Sequence, residues 1–138
     1  MKLRIKGNSI RLRLGQSEVQ RLAIEGFVEE FTVFGPSAEH RLVYAIYAFS
    51  AQHSVSVTFA GRRLVICVPS SEIHVWATTD QVGISALQQA GDGNELRILI
   101  EKDFECIDAP PGESQEDAFP HPQLDAACGP VRVIERLA

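Results

Sequence analysis

Residues 2–6 alternate charged with aliphatic side chains, residues 9–14 alternate polar with aliphatic ones, and Gly7-Asn8 lies between the two runs. A period of two reads as a half-buried strand, and a Gly-Asn link tolerates the positive φ of a tight turn, so this stretch predicts an antiparallel hairpin. Beyond it, Ser17 offers an N-cap, Gln20 completes a capping-box spacing, and Val19, Leu22 and Ala23 supply an i, i+3, i+4 apolar face that Gly26 ends. A short helix is expected there. Two further strands are predicted near 27–34 and 41–49, separated by Gly35-Pro36. In the second of these, Val43, Ala45, Tyr47 and Phe49 alternate with Leu42, Tyr44, Ile46 and Ala48, so both faces are apolar. Such a strand belongs in the middle of a sheet or inside a closed barrel.

The pattern then recurs. With Gly7 laid on Gly61, an ungapped offset of 54 places Ile10, Leu12 and Leu14 on Leu64, Ile66 and Val68, and Ser17, Glu18 and Val19 on Ser71, Glu72 and Ile73. Leu22 and Ala23 fall on Trp76 and Ala77, Val28 on Val82, and Leu42, Tyr44 and Ile46 on Leu96, Ile98 and Ile100. The second copy accordingly predicts strands at 54–59 and 63–68, a helix after Pro69 capped by Ser70 or Ser71, and strands near 82–88 and 95–102 around Gly91-Asp92-Gly93-Asn94. A fixed-period match that preserves apolar positions means one supersecondary unit used twice, each copy completing the core of the other. The expected fold is α+β: an internally duplicated β-β-α-β-β unit, eight mostly antiparallel strands in a curved sheet or barrel, and two short helices. We expect a single pseudo-twofold domain over 1–104, with copies at 1–50 and 55–104, and an acidic, proline-rich tail over 105–138 that packs on it, its disorder risk highest near 110–118.

With 138 residues, 45% of them hydrophobic, the chain is long enough to bury a core without metal or disulfide staples. No apolar stretch approaches the roughly 20 residues of a membrane span, and the charged start lacks a signal-peptide core, so a cytoplasmic location without membrane contact is expected. Cys67, Cys106 and Cys128 are unpatterned and read as free thiols. A formal net charge of −5 argues against general nucleic-acid binding.

Charge changes the picture at the first hairpin. If Leu3, Ile5, Ile10, Leu12 and Leu14 face the core, the pleat sends Lys2, Arg4, Lys6, Arg11 and Arg13 to the opposite face. The second copy has Val65 and Cys67 where the first has Arg11 and Arg13, so the duplication itself does not demand these charges. Arginines on a rigid sheet suit capture of phosphate or carboxylate, which makes the five cations a candidate anion site. Two plainer readings stand beside it: a solvated edge whose like charges discourage edge pairing, and a face neutralised by the acidic end of the chain, which carries Glu101, Asp103, Glu105, Asp108, Glu113, Glu116, Asp117, Asp125 and Glu135.

Other chemistry is sparse. Asp103, Cys106, Asp108, His121 and Cys128 match no compact zinc spacing; His40, His53 and His74 are scattered; and no phosphate-binding loop, nucleophile elbow or metalloprotease motif occurs. No metal, cofactor or catalytic residue is expected. Trp76 and Phe27, Phe31, Phe34, Phe49, Phe59 and Phe104 are read as core, and Phe119, between proline-rigidified neighbours, as an anchor for the tail.

The opening Lys-Leu-Arg-Ile-Lys-Gly-Asn-Ser-Ile-Arg-Leu-Arg-Leu (2–14), with Lys102-Asp103-Phe104-Glu105-Cys106 and Asp117-Ala118-Phe119-Pro120-His121-Pro122, resembles a family of small bacterial proteins of unknown function. That resemblance spans most of the chain, implies a stand-alone bacterial domain and supplies no catalytic residues. A weaker one is to the triphosphate tunnel (CYTH-like) enzymes, eight-stranded barrels that open with Glu-x-Glu-x-Lys. Here those positions read Lys2-Leu3-Arg4-Ile5-Lys6, so only Lys6 fits and the metal-binding carboxylates are lost.

The leading expectation is therefore a non-enzymatic module whose Lys2, Arg4, Lys6, Arg11 and Arg13 bind an anionic small molecule or an acidic protein segment. The alternatives are a metal-dependent phosphohydrolase of tunnel type using carboxylates such as Glu101 and Asp103, and a structural module that forms homodimers through edge strands or the Val65/Cys67 face.

Overall fold

A computed structural model describes residues 1–51, 53–105 and 116–120. The elements run β1 (Lys2–Lys6), β2 (Ser9–Leu14), α1 (Gln16–Glu25), β3 (Phe27–Val33), a 3-10 turn (Ala38–His40), β4 (Arg41–Phe49), β5 (Ser56–Ala60), β6 (Arg63–Pro69), α2 (Ser70–Thr78), β7 (Gly83–Gln89) and β8 (Glu95–Lys102). This is the duplicated β-β-α-β-β order, with eight strands and two short helices. The chain divides into two compact units, Met1–Val19 with Val82–Ala138, and Gln20–Gln81.

Each unit holds one four-stranded sheet, β1-β2-β8-β7 in the first and β3-β4-β6-β5 in the second, and the described strands form no closed barrel. All four hairpins are antiparallel, but the central pairs β2·β8 and β4·β6 are parallel. Each sheet thus joins one hairpin from each copy. The strand read as apolar on both faces, β4, is central in its sheet, and β8 is central in the other.

Register preserves the repeat across most of its length. Leu3↔Leu12 in the first sheet corresponds to Val57↔Ile66 in the second, and Ile10↔Ile98 to Leu64↔Tyr44, all at an offset of 54. The ungapped alignment fails at one strand. Val28 faces Ile46, and the residue facing the equivalent Ile100 is Ile84, so Val28 matches Ile84 rather than Val82. The stretch from Ser70 to Gly83 is two residues longer than that from Gln16 to Phe27, and the shorter β7–β8 connection restores the period by β8.

One face of the first sheet buries Ile10, Leu12, Leu14, Ile84, Ile98 and Ile100. Ile5, on that same face but on the edge strand, is 61% exposed, contrary to the core position expected for it. In the second unit Val28, Ile46, Val57, Leu64, Ile66 and Val68 are buried, and Ile73 and Trp76 of α2 are buried as the spacing predicts. Ala23 of α1 is exposed, so Val19 and Leu22 alone carry the expected apolar face.

Both predicted caps are displaced. Helix α1 starts at Gln16, one residue before Ser17, and the N-cap is Gly15, which has no side chain to offer. The missing acceptor comes from a distant segment: Asp117 accepts from Gln16 N through its carbonyl (2.7 Å) and from Ser17 N and Ser17 Oγ through its carboxylate (3.0 and 2.6 Å). Glu18, not Gln20, closes the box by accepting from Gly15 N at 3.0 Å, and it also pairs with the chain's amino terminus. A Cβ on Gly15 would lie 2.8 Å from the Asp117 carbonyl oxygen, so glycine is the residue that lets this segment approach. Helix α2 has Pro69 at its N-cap and no side-chain cap, because Ser70 and Ser71 already lie within the helix.

The aromatic residues also depart from the expectation. Phe27, Phe31, Phe34, Phe49 and Phe59 are exposed, Phe31 to 55% and Phe59 to 68%. The period of two places Phe27 and Phe31 on the face of β3 opposite buried Val28, and Phe34 and Phe59 lie at a loop and an edge. Phe104 is half-buried against Phe119, ring centroids 5.9 Å apart, where a bridge joins the two residues.

Candidate functional site: a cationic groove on the first sheet

The antiparallel register of β1 and β2 sets Lys2 against Arg13, Arg4 against Arg11 and Lys6 against Ser9, so the five predicted cations share one face of the sheet. The parallel register of β2 and β8 extends the array, placing Arg97 beside Ser9, Leu99 beside Arg11 and Glu101 beside Arg13. On β7, Leu87, Ser85 and Gly83 continue the same lines. Three transverse rows result: Lys2–Arg13–Glu101–Gly83, Arg4–Arg11–Leu99–Ser85 and Lys6–Ser9–Arg97–Leu87.

The first row is internally neutralised. Glu101, 2% exposed, accepts from Arg13 Nε at 3.1 Å and has Arg11 Nε 2.5 Å from the same oxygen, while Lys2 Nζ pairs with Asp103 at 2.9 Å. The Arg11 contact lacks hydrogen-bond alignment, and Glu101 Oε2 has no hydrogen-bond partner among the described atoms. Burial therefore outweighs the opposing hydrogen bond and charge of Arg13, and with a small push from Asp103 it raises the Glu101 pKa.

In the other two rows only Arg11 has a carboxylate beside it, the Glu101 that it shares with Arg13. These two rows line a groove of about 620 Å³ containing Arg4, Lys6, Arg11 and Arg97, with Ser9 and Ser85 as hydroxyls, and no carboxylate among its lining residues. Among the described residues Arg4, Lys6 and Arg97 have no side-chain hydrogen bond or ion pair. Arg4 directly opposite Arg11 is a like-charge pair, an arrangement that costs stability unless an anion sits between. Arg97 escaped the sequence reading because its position depends on a parallel pairing between hairpins of different copies.

Two of the carboxylates considered for metal chemistry are otherwise engaged, Glu101 by arginines and Asp103 by Lys2. Among the described residues no group of three or more His, Cys, Asp or Glu side chains is placed to hold a metal ion. Cys106, Asp108, Glu113, His121, Asp125, Cys128 and Glu135 lie outside the described residues. Cys67 is a free thiol whose pKa burial raises, against a smaller opposing hydrogen bond with Ser56. No helix among the described residues is long and apolar enough to cross a membrane.

The equivalent face of the second sheet differs in kind. Phe27 stacks on Tyr47 at 5.6 Å and Tyr47 on Phe49 at 6.0 Å, Arg41 lies over the Phe31 ring at 4.6 Å, and Arg63 donates to Glu29 at 2.7 Å. Val65 and Cys67 sit where Arg11 and Arg13 sit in the first sheet.

No curated protein and no solved structure matches the chain. A family model matches residues 1–123, and the chain belongs to that family, DUF7009, a family of unknown function.

Proposed function

We propose that the chain is a binding module for a small, multiply charged anion, held in the groove of the first sheet by Arg4, Lys6, Arg11 and Arg97. The observation that carries this reading is a concave site with four cations and no lining carboxylate, in a protein whose formal net charge is −5. Concavity favours a small ligand over an acidic protein surface, because a groove of about 620 Å³ lies within the roughly 300–1,000 Å³ usual for small-molecule sites. No His or carboxylate among the lining residues stands beside Ser9 or Ser85 to activate it as a nucleophile, which supports recognition.

Calorimetric titration of pyrophosphate in low-salt buffer tests the reading. The parent protein is expected to bind, binding is expected to weaken as salt rises, and Arg4→Ala with Arg97→Ala is expected to abolish it. Each of these exposed substitutions should cost no more than about 0.5 kcal/mol of stability by urea unfolding. A parent protein that takes up no anion at low salt rules the reading out.

A second reading, self-association, is supported by the exposed aromatic face of the second sheet. Phe27, Tyr47, Phe49 and Phe31 around a self-neutralised Glu29–Arg63 pair have the aromatic and arginine-rich composition of interface centres. Light scattering is expected to find a dimer that Phe31→Glu dissociates; a parent protein that remains monomeric at its highest soluble concentration removes this reading.

A further inference from the structure

We infer that the groove has two anion subsites and selects a ligand carrying two phosphoryl groups about 7 Å apart, a spacing set by the two-residue repeat along a strand. This inference rests on the anion-binding reading and adds the ligand's class and dimensions. Arg4 and Arg11 are directly opposed, with Cα atoms about 5 Å apart by strand geometry. Their two guanidinium groups form one subsite, with the Glu101 carboxylate, beside Arg11 on the side away from the Lys6 row, as a counter-charge shared with Arg13. In the next row Lys6 and Arg97 flank Ser9 from either side, two strand spacings or about 10 Å apart, close enough for long side chains to converge over the serine. They form the other subsite.

Charge selects phosphate over carboxylate. Lys2, Arg4, Lys6, Arg11, Arg13 and Arg97 stand against Glu101 and Asp103, a net of +4 over the three rows. Glu95 lies at the far end of this face, outside the groove lining, with its carboxylate held by Gln89 at 3.2 Å; counting it leaves +3. Two phosphoryl groups carry about −3 to −4 at neutral pH and match that surplus, whereas two carboxylates supply only half of it. Leu99 and Leu87, next to the cations in the two rows, give an aliphatic spacer an apolar surface. No aromatic side chain lines the groove.

The test compares inorganic phosphate, pyrophosphate and propane-1,3-diol bisphosphate by calorimetry on the full chain. Pyrophosphate matches the bisphosphate in charge but joins its phosphorus atoms through one oxygen, so it separates spacing from charge. The expected result is that the propanediol bisphosphate binds about 100-fold more tightly than phosphate and clearly more tightly than pyrophosphate. Arg97→Ala is expected to remove most of that advantage while weakening phosphate far less, and an unchanged melting temperature confirms that the variant is folded. Equal binding of the bisphosphate and pyrophosphate, or an advantage that survives Arg97→Ala, overturns the two-subsite arrangement and leaves anion binding standing. Failure of all three anions to bind the parent overturns both.

Discussion

Glu101 links the groove to pH. Burial raises its folded-state pKa above the ordinary 4.5, so the folded protein holds this proton more tightly than the unfolded chain does. The sign follows: the contribution to stability is fully present below about pH 4.5 and is lost as pH rises through the raised value. Glu101→Gln should flatten that part of the stability profile, as followed by urea unfolding between pH 4 and pH 7. Protonating Glu101 also removes the counter-charge of Arg11 and Arg13. Affinity for sulfate, whose own charge is constant over this range, should therefore rise about threefold to tenfold on acidification, and Glu101→Gln should abolish the rise. A parent affinity that does not change with pH contradicts this coupling. Just past the same end of β2, Asp117→Ala should cost about 1–2 kcal/mol, because it strips the carboxylate acceptors from the first turn of α1. Gly15→Ala should destabilise by crowding the same segment, and the double variant should cost less than the sum, since both changes disturb one contact.

Among the elements, Trp76 shows how much a nine-residue helix depends on its buried side. It is fully buried, and Trp76→Ala should cost about 3–5 kcal/mol in urea unfolding, with Trp76→Phe costing less. The strands and both helices were legible in the sequence because most follow a clean period, and the offset of 54 carried pairing register into every strand of the second copy but β7. That Lys2, Arg4, Lys6, Arg11 and Arg13 share one face was legible for the same reason, since a pleat and one tight turn determine which side chains lie together, and three of them line the groove. The place of Arg97 was not legible, because a parallel pairing between distant hairpins leaves no local signature. The α1 cap was hidden similarly, in an aspartate a hundred residues away from the serine it bonds. The exposed phenylalanines were misassigned because an aromatic residue at strand spacing reads the same whether its face is covered or open.

For the molecule as a whole, the parallel contacts β2·β8 and β4·β6 mean that neither copy has a complete sheet of its own. A fragment of residues 1–50 loses the central partner of both its hairpins, and residues 55–104 lose theirs. Each fragment alone should lack a cooperative unfolding transition by circular dichroism, and an equimolar mixture should recover one. A cooperative monomer from either fragment would contradict this dependence.

The preserved register has a further consequence. Since β6 corresponds to β2 and β8 to β4, a chain with only one copy would satisfy the same pairings by exchanging hairpins with a twin, as an obligate dimer with two identical outer faces. In such a dimer every substitution strikes both faces at once, so a gain of arginine on one would be imposed on the other. Fusing the twins into one polypeptide frees each face to change alone. The fused chain carries a cationic groove on one sheet and an aromatic surface on the other, an asymmetry that its symmetric counterpart could not encode.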